Sequence, residues 1–418
     1  MAFSASCFIL AKRMKYLFTL LILFFANAAF GQKELQGVVV SAENNMPVPA
    51  ASIFLNNTSV GTTAGSNGSF TLWVPAGRYD LVVSSVGYET YTQNITAATL
   101  PDQLTIRLQP KAKELETVIV EPFEKDGWQK WGKFFLDNFI GMSDNAQNCV
   151  IKNSGAIKFR HSKKDNKLTA VAMEPLQIEN KALGYTVTYQ LEGFTYDFNT
   201  KYLIYQGYPF FQPMKGGAAR QRQWAARRQQ VYEGSMMHFM RSLYRNTLTE
   251  EGFQVRRLQK IPNWEKQRVK AQRAKYTIRQ TSANGQVTIS DTTPPDSSGY
   301  YNRILAQEDY FDKIGRELLT GDSIAYAVNT TTAGLGFPDY LLVIYNKKTA
   351  PAAYVQQFPK SGTAMASQLT LMNNTDIQVQ SNGSYYNPVD LLSMGYWAWS
   401  EKIATMLPFD YLPPQKEK

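Results

Sequence analysis

The stretch from Leu35 to Leu108 constrains this chain most: short apolar runs alternate there with turn residues at nearly constant spacing, which predicts a small all-β sandwich. Residues 35–41, 51–56, 70–74, 79–86, 90–96 and 103–108 read as six strands, with a seventh near 58–63. The gaps carry their own turning chemistry. Pro47 and Pro49 cannot donate to a ladder. Asn67-Gly68 tolerates the positive φ that hairpin turns demand, and Pro75-Ala76-Gly77 serves the next pair. Val82, Ser84 and Val86 fall on the face opposite Val83 and Ser85, as a period of two requires.

This pattern resembles the carboxypeptidase-regulatory-like domain. Gly37, Pro47, Ala50 or Ala51, Gly61, Asn67, Gly68, Phe70, Gly77, Tyr79, Gly87 and Tyr88 carry the resemblance, and Leu115–Val120 is similar to the family's exit strand. The resemblance implies a transthyretin-like (prealbumin-like), Greek-key sandwich of seven strands, common in exported proteins of Gram-negative bacteria and often placed ahead of outer-membrane receptors. Gly65 stands where the family usually has Asp before Asn-Gly, so a turn-capping or ion-binding role there is absent.

Residues 1–31 read as a signal peptide. Lys12, Arg13 and Lys15 form the charged region, Tyr16–Phe25 the apolar one, and Ala29-Phe30-Gly31 the cleavage site, leaving Gln32 first. The apolar run is shorter than the roughly 20 residues of a spanning helix, and no transmembrane segment is expected in the mature chain. Cys7 lies in the signal, which leaves Cys149 without an internal disulfide partner. The expectation is export to the periplasm or outer-membrane surface of a Gram-negative bacterium. At 418 residues with 44% hydrophobic and 13% aromatic content, the chain can build more than one core.

The expected organisation is a signal peptide over 1–31, the sandwich over 32–110, a charged linker over 111–126 and a β-dominated α+β domain over 127–418. A helix is predicted over 126–140, with Trp128, Trp131, Phe135 and Phe139 on a broad apolar face. Strands are predicted at 148–152, 155–160, 168–173, 184–191, 193–198 and 202–206. A helix over 217–248, with a break at Gly234 as one option, follows. Further strands are expected near 252–258, 274–280, 285–290, 323–328, 340–346, 367–372 and 375–380, with a loop over 290–299 and a helical turn over 307–319. A last helix runs from an Asn387 cap and Pro388 to Pro408, with Leu392, Tyr396, Trp399, Ile403 and Met406 as its core stripe. The phrases LGYTVTYQLEGFTY, GSMMHFMRSLYRNTLTEEGF and GYWAWSEKIATMLPFDYLPP resemble uncharacterised C-terminal regions attached to this sandwich in bacterial envelope proteins.

Chemistry is sparse. A zinc peptidase needs three protein ligands and an open position, and the chain's two histidines, His161 and His238, lack a Glu three residues on. No G-x-S-x-G or S-x-x-K occurs. Ser235 and His238 share a helical face without an evident acid, and Cys149 reads as a small hydrophobe in a strand. Gly127–Lys133 nearly spells a phosphate loop, but Phe134 stands where Ser or Thr must hold Mg²⁺. Glu250/Glu251 and Glu308/Asp309/Asp312 read as solvated clusters. No catalytic residue, metal or cofactor is assigned.

The sharpest feature is cationic. Residues 214–275 hold fifteen Lys/Arg against four Glu. On one unbroken helix, Arg220, Arg227, Arg241 and Arg245 fall within about 60° of His238, opposite Tyr232, Met236, Phe239, Met240 and Leu243. Arg forks suit phosphate or carboxylate, so these five form a candidate anion site; a solvated charged face is the competing reading. The expected function is a non-catalytic envelope binding or assembly protein, whose partner is another envelope protein or an anionic component such as a lipid head group or glycan. Nucleic acid is not expected. The alternatives are a hydrolase of peptide or glycan with its site in 127–418, and an accessory of an outer-membrane transport system.

Overall fold

A computed structural model describes residues 32–111, 122–281, 287–291, 295–386 and 388–414. The expected signal peptide over 1–31, the expected exit strand over 115–120, Asn387 and part of the expected 290–299 loop lie outside the described residues. The chain divides into two compact units, one ending at Met237 and resuming at Ser400, the other spanning His238–Trp399.

The first unit opens with a two-sheet sandwich. One sheet has the order β4-β1-β7 (Ser69–Pro75, Gln32–Ser41, Gln103–Leu108), and the other β3-β2-β5-β6 (Gly61–Thr63, Ser52–Leu55, Arg78–Ser84, Tyr91–Thr96). β1 pairs antiparallel with β4 and parallel with β7. Alternation along β4 buries Phe70, Leu72 and Val74 against Leu35, Val39, Ile53, Leu81, Val83 and Ile106. Each large aliphatic side chain so buried contributes about 1.5–3 kcal/mol. Gly68, at φ +76°, makes the turn that Asn67-Gly68 predicts; a Cβ there would sit 2.4 Å from the Val39 carbonyl oxygen.

A second sheet in the same unit is centred on β12. Its strands are β8 (Cys149–Ile151), β9 (Ile157–Ser162), β10 (Lys167–Ala172), β11 (Leu176–Asn180), β12 (Tyr185–Asp197) and β13 (Tyr202–Pro213). The order β8-β11-β12-β10-β9 is flanked by β13, which pairs along nearly all of β12 through a bulge at Leu191/Gly193. Helix α1 (Gly127–Phe139) lays Phe135 and Phe139, both fully buried, onto Phe159, Phe194, Tyr189 and Tyr205. The near phosphate loop is thus the first two turns of this helix, and Gly132 serves packing: a Cβ there would lie 2.9 Å from the Trp128 ring.

The sandwich is docked on this sheet. The β2–β3 loop runs along the outer edge of β13: Asn57 N–H donates to Pro209 O (2.8 Å) and Phe211 N–H to Thr58 O (3.0 Å). Phe409 N–H, from the returning C-terminal segment, donates to Asn57 O (2.7 Å), and Asp410 accepts from the Ser59 amide (2.9 Å) and hydroxyl. Phe54 packs on Phe210 at 5.2 Å, and Gly61 lets the ring in, since a Cβ there would meet it at 2.6 Å.

The second unit holds strands β14 (Phe253–Pro262), β15 (Thr277–Thr281), β16 (Val287–Asp291), β17 (Tyr310–Ile314), β18 (Ala325–Asn329), β19 (Thr332–Leu335), β20 (Tyr340–Thr349), β21 (Ala364–Leu371), β22 (Ile377–Gln380), β23 (Tyr385–Tyr386) and β24 (Leu391–Gly395). They form an antiparallel sheet β17-β14-β20-β21-β24, a sheet β18-β19-β22-β23 and the hairpin β15-β16. Helices α2 (Ala218–Tyr232) and α3 (Met236–Tyr244) link the units in sequence. α4 (Leu248–Glu251), α5 (Trp264–Tyr276), α6 (Pro295–Leu305), α7 (Ala352–Gln357) and α8 (Tyr396–Ser400) follow. α5, the hairpin and α6 make an excursion between Pro262 and Tyr310, which are themselves register partners.

Three expectations are corrected. The last helix is replaced by a 3₁₀ turn, β24, short α8 and another 3₁₀ turn. β21 supplies β24 with a ladder, and Gly395, at φ +72°, lies outside the right-handed helical region, so no helix runs through it. The helical turn over 307–319 is occupied instead by β17, which β14 holds in register. The 290–299 loop contains the start of α6, with Pro295 at its first position, where a missing N–H costs nothing.

Candidate functional site

α2 is fixed by one face and presents the other. Trp224 is buried and its indole N–H donates to Lys181 O (2.9 Å). Arg228 donates to Leu183 O (2.7 Å) and Gly184 O (3.1 Å) while stacking on the Tyr185 ring at 4.0 Å. Gly184, at φ +70°, is needed because a Cβ would strike the Trp224 ring. With this face spent on the Lys181–Tyr185 turn, Arg220, Arg222 and Arg227 stand exposed. Arg227 donates to Gln230 one turn on (3.3 Å).

The helix does not run unbroken. Gly234 takes φ +86°, ending α2, and α3 starts two residues later. The angular alignment of five residues rested on continuity, so it does not hold across this break. Within α3, His238 is only 5% exposed, with its ring against Phe253 (4.9 Å) and Tyr345 (5.7 Å) and its Nε2 3.4 Å from Glu251. Arg241 is 2% exposed and donates from Nε to Asn382 O (2.8 Å). Arg245 is exposed just past the helix end. The structure therefore sets Arg220 and Arg227 on one solvent-facing helix, Arg245 in solvent in the other unit, and His238 and Arg241 inside a core. The apolar partners of the stripe, Tyr232, Met236, Phe239, Met240 and Leu243, are all buried.

Other sequence candidates take structural places. Burial pushes the Cys149 thiol up to about 12, away from the thiolate a nucleophile needs. His161 packs beside Trp131 (5.0 Å) and Phe198 (5.8 Å). Asp309 lies between Lys270 (2.7 Å) and Lys266 (3.3 Å), which hold its carboxyl below the usual range, and Asp312 pairs with Lys260 (3.0 Å). Among the described residues, no three His, Cys, Asp or Glu side chains gather in a way that could hold a metal ion.

One pair escaped sequence reasoning. Glu401 accepts the Met236 N–H at 3.0 Å, and desolvation raises its carboxyl to about 7. Lys402 beside it is lowered to about 8, again by desolvation, with its ammonium 5.5 Å from the Tyr205 ring centre. Two adjacent charges in an aromatic-rich tail carry no sequence signal of burial.

Residues 35–120 match the CarboxypepD_reg-like domain family, so the chain carries an N-terminal domain of that kind. Over 110 residues, 26% of the chain, it is 30% identical to TonB-dependent receptor P3 of Formosa agariphila, and the match covers 11% of that receptor. Among solved structures it is similar to a 3-chlorocatechol 1,2-dioxygenase from Rhodococcus opacus 1CP (11% identity, 19% of this chain and 59% of that one, TM-score 0.14). A DUF3823 family protein from Bacteroides ovatus is also similar (14% identity, 44% and 83%, TM-score 0.16). No helix among the described residues is long and apolar enough to cross a membrane.

Proposed function

We propose that this chain is an exported, non-catalytic binding or assembly protein of a Gram-negative envelope. In this reading the N-terminal domain is a transthyretin-like spacer and recognition surface, and arginines hold an anionic ligand such as a lipid head group or glycan. The observation that carries it is the clamped helix α2. Its inner face is consumed by Trp224 and Arg228, which leaves Arg220 and Arg227 one above the other in solvent as guanidinium forks. The signal-like first 31 residues and the CarboxypepD_reg-like domain support export. Arg220→Glu with Arg227→Glu reduces retention in the membrane fraction several-fold at low salt while leaving thermal stability within about 0.5 kcal/mol. Unchanged fractionation removes the anion reading.

A second reading, a hydrolase, draws on Glu401, whose carboxyl near neutrality suits proton transfer. Its test is turnover of peptide or glycan substrates that disappears in Glu401→Gln. Similarity of 110 residues of this chain to part of a TonB-dependent receptor is what supports the transport-accessory alternative.

A further inference from the structure

We propose that β17 takes an extended, carboxylate-bearing segment of a partner protein by strand addition, because an open run of backbone hydrogen-bonding groups lies there beside two unneutralised cations, Lys313 and Arg257. This names the partner chemistry of the binding reading above and rests on it.

The backbone argument comes from register. Asn263 N–H donates to Asp309 O (2.9 Å) and Gly315 N–H to Arg257 O (2.8 Å). In an antiparallel pair, the groups that face the neighbouring strand recur at every second residue. Residues 309, 311, 313 and 315 therefore point their N–H and C=O toward β14, and Tyr310, Asp312 and Ile314 point theirs away. β17 ends its sheet, and none of these three has a backbone partner on the open side among the described residues. An edge of this kind is a template for another strand.

The side chains fit the same occupant. β20 covers β14 only as far as Leu258, so residues 259–262 and their partners in β17 overhang the sheet as a two-stranded ribbon. Tyr310 and Phe311, on opposite faces, are each 52% exposed, and Ile314 is 50% exposed. A strand laid beside them would cover apolar surface on both faces. Charge selects its composition. Asp312 is neutralised by Lys260 and also accepts from Gln368 (3.2 Å), and Asp339 accepts from Gln259 (3.1 Å). Lys313 and Arg257 have no ion pair within 4 Å among the described residues, and they line a surface notch of about 220 Å³ at the strand's end together with the single carboxylate of Asp339, two cations against one anion. The edge thus offers positive charge to a chain carrying Glu or Asp at alternate positions.

The test uses the full chain and two ten-residue probes, one alternating valine with glutamate and one valine with lysine. Hydrogen–deuterium exchange is followed across residues 310–314, and affinity by fluorescence anisotropy. The expected result is slowed exchange confined to that segment with the glutamate probe. Lys313→Glu with Arg257→Glu weakens that probe about tenfold and transfers preference to the lysine probe, a gain that a misfolded variant cannot show. Unslowed exchange at saturating glutamate probe overturns the proposal, as does equal affinity for the two probes. It is also overturned if protection appears with rising protein concentration alone, which means a second copy, or only with phosphatidylglycerol vesicles. Failure here with membrane retention still sensitive to Arg220 and Arg227 leaves the anion reading standing; loss of both removes the shared binding reading.

Discussion

Two sheet edges in this chain meet the same physical problem in opposite ways. The outer edge of β13 is closed at residues 209–211 by the chain's own β2–β3 loop, which is held in turn by the returning segment at Phe409 and Asp410. The edge of β17 carries apolar side chains on both faces and has nothing laid against it among the described residues. Closure at β13 depends on a close approach, in which Gly61 has no side chain and Phe210 fills the space. At β17 no segment of the described residues lies along the outer edge, and the strand is short and charged at its centre. An edge sealed internally fixes one domain on another; an edge left bare is available to something outside.

The largest effect is expected at the sealed edge. Gly61→Val forces the Phe210 ring out and destabilises the first unit by about 2–3 kcal/mol, read as a lower thermal midpoint and faster proteolysis after the sandwich. Next comes pH. Glu401 lies in the segment that returns to the seal, and its folded-state carboxyl sits above the unfolded one. Its contribution is complete below about pH 4.5 and is lost as pH rises through about 7, so stability falls over that window. Lys402 has the opposite sign: its contribution is present above about 10.5 and lost as pH falls through about 8. Glu401→Gln, which keeps an acceptor for Met236, flattens the acid-side slope in urea titrations. Asp410→Ala removes the exposed bonds to Ser59 and costs about 0.5–1 kcal/mol. Phe311→Ala on the open edge changes the unfolding free energy from urea titration by less than about 0.5 kcal/mol; a loss near 2 kcal/mol would show that edge to be packed and would erase the contrast.

What was legible in the sequence follows from where local chemistry decides. The sandwich strands could be read because Asn67-Gly68, Pro75-Ala76-Gly77 and the Phe70/Leu72/Val74 alternation all favour the same structure. α1 differs from expectation by one residue at each end, since its aromatic spacing is unambiguous. The 391–395 segment has a helix-like stripe, yet a partner strand and Gly395 outweigh it, and both act through residues far away in sequence. α5 has no counterpart among the sequence expectations although its start has a local cap: the Asn263 side chain accepts the Lys266 N–H (3.0 Å), and Glu265 lies in the first turn. The cationic set was legible as composition but not as a surface. Burial of His238 and Arg241 depends on β14 and β20 and on the turn at Asn382, which no helical projection contains.

The excursion between β14 and β17 has a consequence for how this architecture can vary. Because Pro262 and Tyr310 already face each other, the strands on either side need only a tight reversal to remain joined, and everything from Asn263 to Asp309 is topologically an appendage. Loop-closure entropy grows only slowly with length, so appendages of very different size can be accommodated at that junction with little penalty. The junction is therefore a natural seam for exchange: relatives can be expected to differ there in bulk and charge while the sheet beneath keeps its register.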